Sequence, residues 1–165
     1  MENRTYTVYK FDELPTQEAK DKAIAHERNS NDLPFMSDYM DELARNLLAE
    51  HKIHFDTLRV FYSLSNCQGD GVMFEMSGKW KNYFITVKHS GHYYHEHSKD
   101  TTITTRADND AKEEIYKEFD AVYVTICKEL EREGYNYIEQ EQSDENIAET
   151  LRINEYNFTI DGLID

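Results

Sequence analysis

The sequence is poor in the residues that mark secreted, membrane-spanning and disulfide-stabilised proteins. It has two cysteines, Cys67 and Cys127, with no CxxC pair, so no disulfide framework is expected and a reduced, cytosolic setting is the default. No apolar run approaches the ~18 residues that a membrane span needs, and the first residues, MENRTYTVYKF, lack the apolar core of a secretory signal. These absences predict a soluble intracellular protein that makes no membrane contact.

Glycine and proline are also scarce, at six and two residues, which is too few for a linker-rich or low-complexity chain. The hydrophobic fraction of 39% and the aromatic fraction of 13% argue against disorder. The length of 165 residues predicts one domain over 1–165, long enough to bury a core.

Positive charge is the third shortage, because 18 Lys and Arg face 33 Asp and Glu, a net charge of −15. The imbalance is concentrated in residues 108–165, which hold 5 basic and 17 acidic residues, a net of −12, whereas residues 1–107 are at −3. A field of that sign repels nucleic acid and membrane surfaces and attracts basic partners. The pattern is typical of a solvated acidic helix face; it also fits an acidic surface that occupies a basic, nucleic-acid-binding groove.

The N-terminal part predicts one strand followed by two helices. Residues 5–11 are rich in β-branched and aromatic side chains, which is typical of a strand. Thr16 is in the N-cap position of a helix that should end at 29–31. Apolar residues then recur at helical spacing from about 32–37 to His51, which predicts a second helix with a core-facing stripe.

From residue 53 the hydrophobic period changes to two, which predicts an antiparallel meander over about 53–106. Two turns divide it, the Gly-rich segment at 66–71 and a two-residue turn at Ser90-Gly91. Its strands are predicted at 54–64, 72–80, 83–89, 92–98 and 101–105.

The C-terminal part predicts two acidic helices and a last strand. The longer helix is expected over 108–133, with Gly134 at its C′ position. Ser143 is the expected N-cap of a short helix over 143–153, and alternation predicts a strand at 155–161. The predicted class is therefore α+β, an antiparallel sheet of about five or six strands with three to four helices packed on it.

Four of the seven histidines fall within HSGHYYHEH, residues 89–97, and imidazole is the commonest protein metal ligand. If Ser90-Gly91 is the turn of a hairpin, His89 and His92 share one face while His95 and His97 point to the other. A zinc site needs three or four protein ligands, and each face offers two imidazoles. We therefore expect no metal and no cofactor here, and interpret the segment as a Tyr/His surface for a partner.

The turn SNCQGDG, residues 65–71, is the second candidate for chemistry. Cys67 could act as a nucleophile with His54 or His89 approaching in space, but the adjacent charge of Asp70 opposes a thiolate. The alternative is a structural turn, in which Gly69 and Gly71 supply positive φ and Asp70 hydrogen-bonds the backbone. The second interpretation is the simpler one.

Three stretches, YTVYKFDELPTQEAKDKAI, SLSNCQGDGVMFEM and INEYNFTIDGLID, together resemble a small family of bacteriophage proteins. Its members often begin with a strand and F-D-E-L, carry a C-Q-G-D-G turn and close with E-Y-x-F-T-x-D-G, and some are described as antitoxin-like. The resemblance implies a phage or prophage origin. Small phage accessory proteins commonly bind and block a host protein, anti-CRISPR proteins among them, and that class of activity agrees with the charge pattern.

The leading hypothesis is a non-enzymatic phage protein that acts in the cytoplasm of an infected bacterium. It would bind and inhibit a host protein with a basic surface, such as a CRISPR effector or another nuclease, without binding nucleic acid itself. The partner-binding residues are predicted to be Glu113, Glu114, Glu118, Glu129, Glu131, Glu133, Glu139, Glu141, Asp144 and Glu145, with His92, Tyr93, Tyr94 and His95 as a second surface.

Two rival functions remain open at this point. One is a metal- or cysteine-dependent enzyme, for which the candidate residues are His54, Cys67, His89, His92, His95 and His97. The other is an antitoxin-like regulator, which the presence of a neighbouring toxin gene would indicate.

Overall fold

The computed structural model describes residues 7–30 and 32–165. In that part of the chain it contains four α-helices and one four-stranded antiparallel sheet, which confirms the α+β class. The elements are α1 (Gln17–Ser30), α2 (Met36–Glu50), β1 (Ile53–Ser63), β2 (Gly71–Trp80), β3 (Tyr83–His89), β4 (Lys99–Thr104), α3 (Glu113–Glu141) and α4 (Asp144–Ile153). None of these helices is long and apolar enough to cross a membrane.

The chain forms two compact units. The described residues up to Pro34 join Tyr137–Asp165 in the first, and Phe35–Asn136 make up the second. Residues 137–141 of the first unit are the end of α3, so this helix contributes to both units. The prediction of a single domain stays a prediction.

The unit Phe35–Asn136 is built on the sheet, whose strands follow the order β1-β2-β3-β4. Alternate residues of β2 face a core that also receives the apolar stripes of α2 and α3. Phe74 lies against Tyr123, with ring centroids 4.3 Å apart, and Trp80 lies edge-on to Phe119 at 5.5 Å. Both helices have the predicted core-facing stripe, although Phe35, at the start of the apolar series of the second helix, is 69% exposed. The buried residues of α2 are Met36, Met40, Ala44 and Leu48, and those of α3 include Phe119, Ile126 and Leu130.

The long helix differs from the prediction at both ends. It begins at Glu113 rather than at Asp108, because the preceding residues pair with the edge of β4, where Ala111 donates its N–H to the carbonyl of Ile103. It continues through Gly134 to Glu141, so the C′ assignment of Gly134 is wrong. Gly134 is buried, and a Cβ there would collide with Cδ1 of Leu64, so this glycine allows the helix to pack closely against that side chain.

The first unit has its own buried cluster, made by a 3₁₀ turn at Phe11–Glu13, α1, α4 and Phe158. Both predicted N-caps of its helices are confirmed. The hydroxyl of Thr16 accepts the N–H of Ala19 at 3.1 Å, and that of Ser143 accepts the N–H of Asn146 at 3.3 Å.

Three of the segments predicted as strands do not form strands, and the described residues contain four strands, fewer than the five or six expected in the sheet. Of 5–11, residues 5 and 6 lie outside the described part; Tyr9 makes a single bridge to Phe158, and the 3₁₀ turn follows at once. In 155–161, the bridges of Phe158 to Tyr9 and Ile164 are isolated. The third, 92–98, lies in a loop. A strand needs a continuous partner, and these segments have none.

Candidate interaction surfaces

Residues 90–98, the histidine loop, connect β3 to β4, so the predicted hairpin around Ser90-Gly91 is wrong. In the observed register His89 pairs with Lys99, where the prediction had placed His92. The loop lies against the turn at 65–71 instead. A Cβ at Gly69 would lie 3.1 Å from Cε1 of Tyr93, and one at Gly71 would lie 2.6 Å from the carbonyl oxygen of Tyr94.

The glycines of the turn therefore have a different role from the one predicted. Neither Gly69 nor Gly71 has positive φ; the left-handed residue is Asn66, at φ 58°. The two glycines leave room for the histidine loop, since a side chain at Gly71 would also meet Nδ1 of His95 at 2.8 Å. The turn and the loop thus form one packed surface.

Asp70 organises the turn, and its predicted bonds to the backbone are confirmed. Its carboxylate accepts the N–H groups of Ser65 at 2.7 Å and Cys67 at 3.0 Å. It also accepts hydrogen bonds from the hydroxyls of Ser63, Ser65 and Tyr135. The hydrogen bond from Tyr135, followed by those from the turn, holds the pKa of Asp70 well below its usual range, and the same contact raises the pKa of Tyr135 to about 12.

Cys67 is exposed at this turn, and its side chain contacts Asp70 and Ser65. Its Sγ donates to Asp70 at 3.1 Å and accepts from the hydroxyl of Ser65 at 3.3 Å. His54 lies near the start of β1, whereas the turn follows its end at Ser63, roughly 30 Å away along the strand at ~3.3 Å per residue. The structure does not bring His54 and Cys67 together as a nucleophile and its base.

The four imidazoles of residues 89–97 are held by separate neighbours. His89 stacks on Phe61 at 5.8 Å, and Tyr94 stacks on the same ring at 5.4 Å. His92 and His95 both lie edge-on to Tyr93, at 4.9 and 5.9 Å. Nε2 of His97 is 3.6 Å from the carboxylate of Glu96. In residues 7–30 and 32–165, no three His, Cys, Asp or Glu side chains are grouped so that they could hold a metal ion.

Half of the predicted acidic residues are paired with cations of this chain. In the unit Phe35–Asn136, Glu113 is 2.7 Å from Lys117, and Glu118 pairs with Lys81. One guanidinium, that of Arg132, is shared by two carboxylates, those of Glu129 and Glu133. In the other unit, Asp144 pairs with Arg28.

The other predicted carboxylates differ in their surroundings. Burial and the nearby carboxylate of Glu96 raise the pKa of Glu131, which makes it less suited to present charge. Glu141 accepts the side-chain amide of Asn146 at 3.2 Å. Three remain exposed and, among the described residues, without a cationic or hydrogen-bonding partner: Glu114, Glu139 and Glu145.

Lys99 and Tyr135 were missed by the sequence reasoning, although each stabilises the surface of this unit. The ammonium of Lys99 lies 2.6 Å from Asp120 and 2.7 Å from the carbonyl of Glu96, where it fixes the end of the histidine loop. Tyr135 reaches the turn through Asp70. Both contacts join residues far apart in sequence, and no local pattern indicates them.

Comparison with protein-family models, with curated proteins and with solved structures finds no match to this chain. The candidate surfaces are therefore interpreted from their own chemistry.

Proposed function

We propose that this chain is a non-enzymatic phage protein that binds a basic surface of a host protein and keeps nucleic acid from it. The partner would be a nucleic-acid-handling or defence protein, a CRISPR effector or another nuclease, in the cytoplasm of the infected bacterium. The observation that carries the proposal is the set of exposed carboxylates that have no cationic partner among the described residues, Glu114, Glu139 and Glu145, in a segment of net charge −12.

Unpaired carboxylates are the ones available to a partner. A carboxylate that already contacts Lys or Arg must give up that contact before it binds another cation, so its net gain on binding is small. Glu114, Glu139 and Glu145 have no such contact with the residues that the structure describes. They should therefore contribute most of the charge-dependent affinity, while Glu113, Glu118 and Glu129 should contribute little.

The histidine loop is the second surface in this proposal. Tyr93 is 54% exposed and lies between His92 and His95, so it presents an aromatic ring with polar neighbours. Such groups are enriched at protein interfaces, because they bury apolar area and still satisfy their polar atoms. Glycines at positions 69 and 71 allow the loop to lie closely on the turn, which limits the entropy lost when it binds.

The test is capture of proteins from a bacterial host lysate on the immobilised chain, at ~0.1 M and ~0.5 M salt. Retention of a basic, nucleic-acid-binding protein should fall steeply between these concentrations, since the Debye length shortens from ~10 Å to under half of that. The variant Glu114→Gln/Glu139→Gln/Glu145→Gln should lose most of the retention.

The matched control is Glu113→Gln/Glu118→Gln/Glu129→Gln, which changes the net charge by the same amount at carboxylates that are already paired. It should retain the partner. Capture that ignores salt, or equal losses in the two triple variants, would contradict the proposed role of the unpaired carboxylates.

A further inference from the structure

The sheet has two edge strands, β1 and β4, and among the described residues β4 alone has further backbone partners at its outer edge. At β4, Ile103 donates its N–H to the hydroxyl of Tyr116 at 2.9 Å and accepts the N–H of Ala111, and Thr104 bridges Asp110. At β1, no backbone group bonds to any described residue outside the pairing with β2. An uncovered edge is a template for a further strand.

The direction of the free groups of β1 follows from the contacts of Tyr123. Its hydroxyl accepts the N–H of Phe74 at 2.9 Å and donates to the carbonyl of Phe74 at 2.8 Å, so these groups of β2 turn away from β1. Phe74 is the register partner of Val60. In an antiparallel ladder such a pair is not hydrogen-bonded, and the N–H and C=O of Val60 must point to the free edge. By alternation, those of Leu58 and Tyr62 do the same.

We propose that this edge pairs with the same edge of a second copy of the chain, antiparallel and about a two-fold axis at Val60. The two sheets would join into one of eight strands, through about six hydrogen bonds between residues 58, 60 and 62 of the two copies. This inference does not rest on the proposed function, because it uses the edge of the sheet and none of the unpaired carboxylates. Phe61 is shared with the histidine loop, since Tyr94 stacks on its ring, so the test reads the dimer itself and not capture of a host protein.

The register is set by the strand itself. A bulge between Phe55 and Thr57 interrupts the regular edge, and Val60 is the centre of the regular segment that follows, 57–63. When the two copies pair about Val60, opposed side chains lie on the same face of the joined sheet, and Arg59 of each copy lies opposite Phe61 of the other. The guanidinium already lies over its own Phe61 ring at 4.6 Å, so the pair is chemically suited to cation–π contact. If one strand slid by two residues in one direction, the two Arg59 side chains would lie directly opposite each other, and their like charges would disfavour that register.

The first measurement is sedimentation of the purified full chain from ~1 to ~200 μM. We expect a reversible monomer–dimer equilibrium. Phe61→Lys sets a lysine opposite each Arg59 and should weaken the dimer at least tenfold, whereas Phe84→Lys, an exposed change on the inner strand β3, should leave it intact. Fluorescence of Trp80 and circular dichroism establish that both variants are folded.

The second measurement tests the register in a Cys67→Ser background, where the remaining Cys127 is buried. Under mild oxidation, a mixture of Arg59→Cys and Phe61→Cys chains should form disulfide-linked heterodimers, and either chain alone should not. A monomer at every concentration, equal weakening by the two lysine variants, or efficient cross-linking of Arg59→Cys alone would overturn the proposal; the first result would leave the edge to an extended segment of a different protein.

Discussion

Tyr123→Phe removes one oxygen atom and should be among the most destabilising conservative changes in the chain. The side chain of Tyr123 is fully buried, and its hydroxyl satisfies both the N–H and the C=O of Phe74 beyond the end of β3. Phenylalanine fills nearly the same volume, so no cavity forms. Two buried backbone groups lose their partner, at ~1–3 kcal/mol each, and we expect a loss of about 2–4 kcal/mol in the free energy of unfolding.

The assay is urea unfolding at pH 7, followed by the fluorescence of Trp80, the one tryptophan, which is buried in the same unit. Tyr116→Phe is the matched control. The hydroxyl of Tyr116 is half-buried and accepts one N–H, that of Ile103, whose carbonyl has a second donor in Ala111. Its loss should cost only ~0.5–1.5 kcal/mol. A Tyr123→Phe variant within ~0.5 kcal/mol of wild type, or the reverse order of the two variants, would refute the assigned role.

Three further predictions concern the turn, the loop and β4. The pKa of Asp70 is lower in the folded chain than in the unfolded chain, so its contribution to stability is complete above the unfolded pKa and is lost as the pH falls through the folded pKa. In acid-unfolding titrations, the difference in unfolding free energy between wild type and Asp70→Asn should be constant from pH 7 to 5 and should shrink below about pH 4. Gly71→Ala places a Cβ 2.6 Å from the backbone of Tyr94 and should cost ~1–3 kcal/mol, with faster amide exchange across 90–98. Exchange unchanged from wild type would contradict the packing of the loop on the turn. Thr101→Val removes a buried hydroxyl oxygen that has no partner among the described residues, and should raise the unfolding midpoint slightly; a clear loss would show that the hydroxyl is satisfied.

Local signals predicted the helices well, because a cap or an amphipathic stripe depends on neighbours within a few residues. Thr16 and Ser143 cap helices as expected. The strands were less predictable, since β propensity says nothing about a partner. Residues 92–98 have strand-like composition, yet Lys99 takes the place opposite His89.

Glycine was misinterpreted for the same reason. Gly134 was assigned to a helix end, and Gly71 to a positive φ, from rules that consider only the adjacent chain. Their actual neighbours are Leu64 and the backbone of Tyr94, which are distant in sequence. A close approach between separate segments leaves no local pattern.

In the candidate surfaces, too, contacts between neighbours in sequence were predictable and contacts between distant residues were not. The pairing of Glu113 with Lys117 is an i,i+4 contact that the sequence could have supplied. The pairings of Glu118 with Lys81 and of Asp144 with Arg28 join distant residues, so the sequence could not tell which carboxylates remain unpaired.

The most direct test of the proposed function is competition by double-stranded DNA for the captured host protein. The immobilised chain, loaded at ~0.1 M salt, is titrated with DNA of random sequence, and the released protein is measured. If the unpaired carboxylates occupy a nucleic-acid-binding surface, DNA should displace the host protein from the immobilised chain at DNA concentrations near the dissociation constant of the DNA–host protein complex. The host protein should not bind the chain and DNA at the same time. A stable ternary complex, with the partner still bound at saturating DNA, would contradict the account.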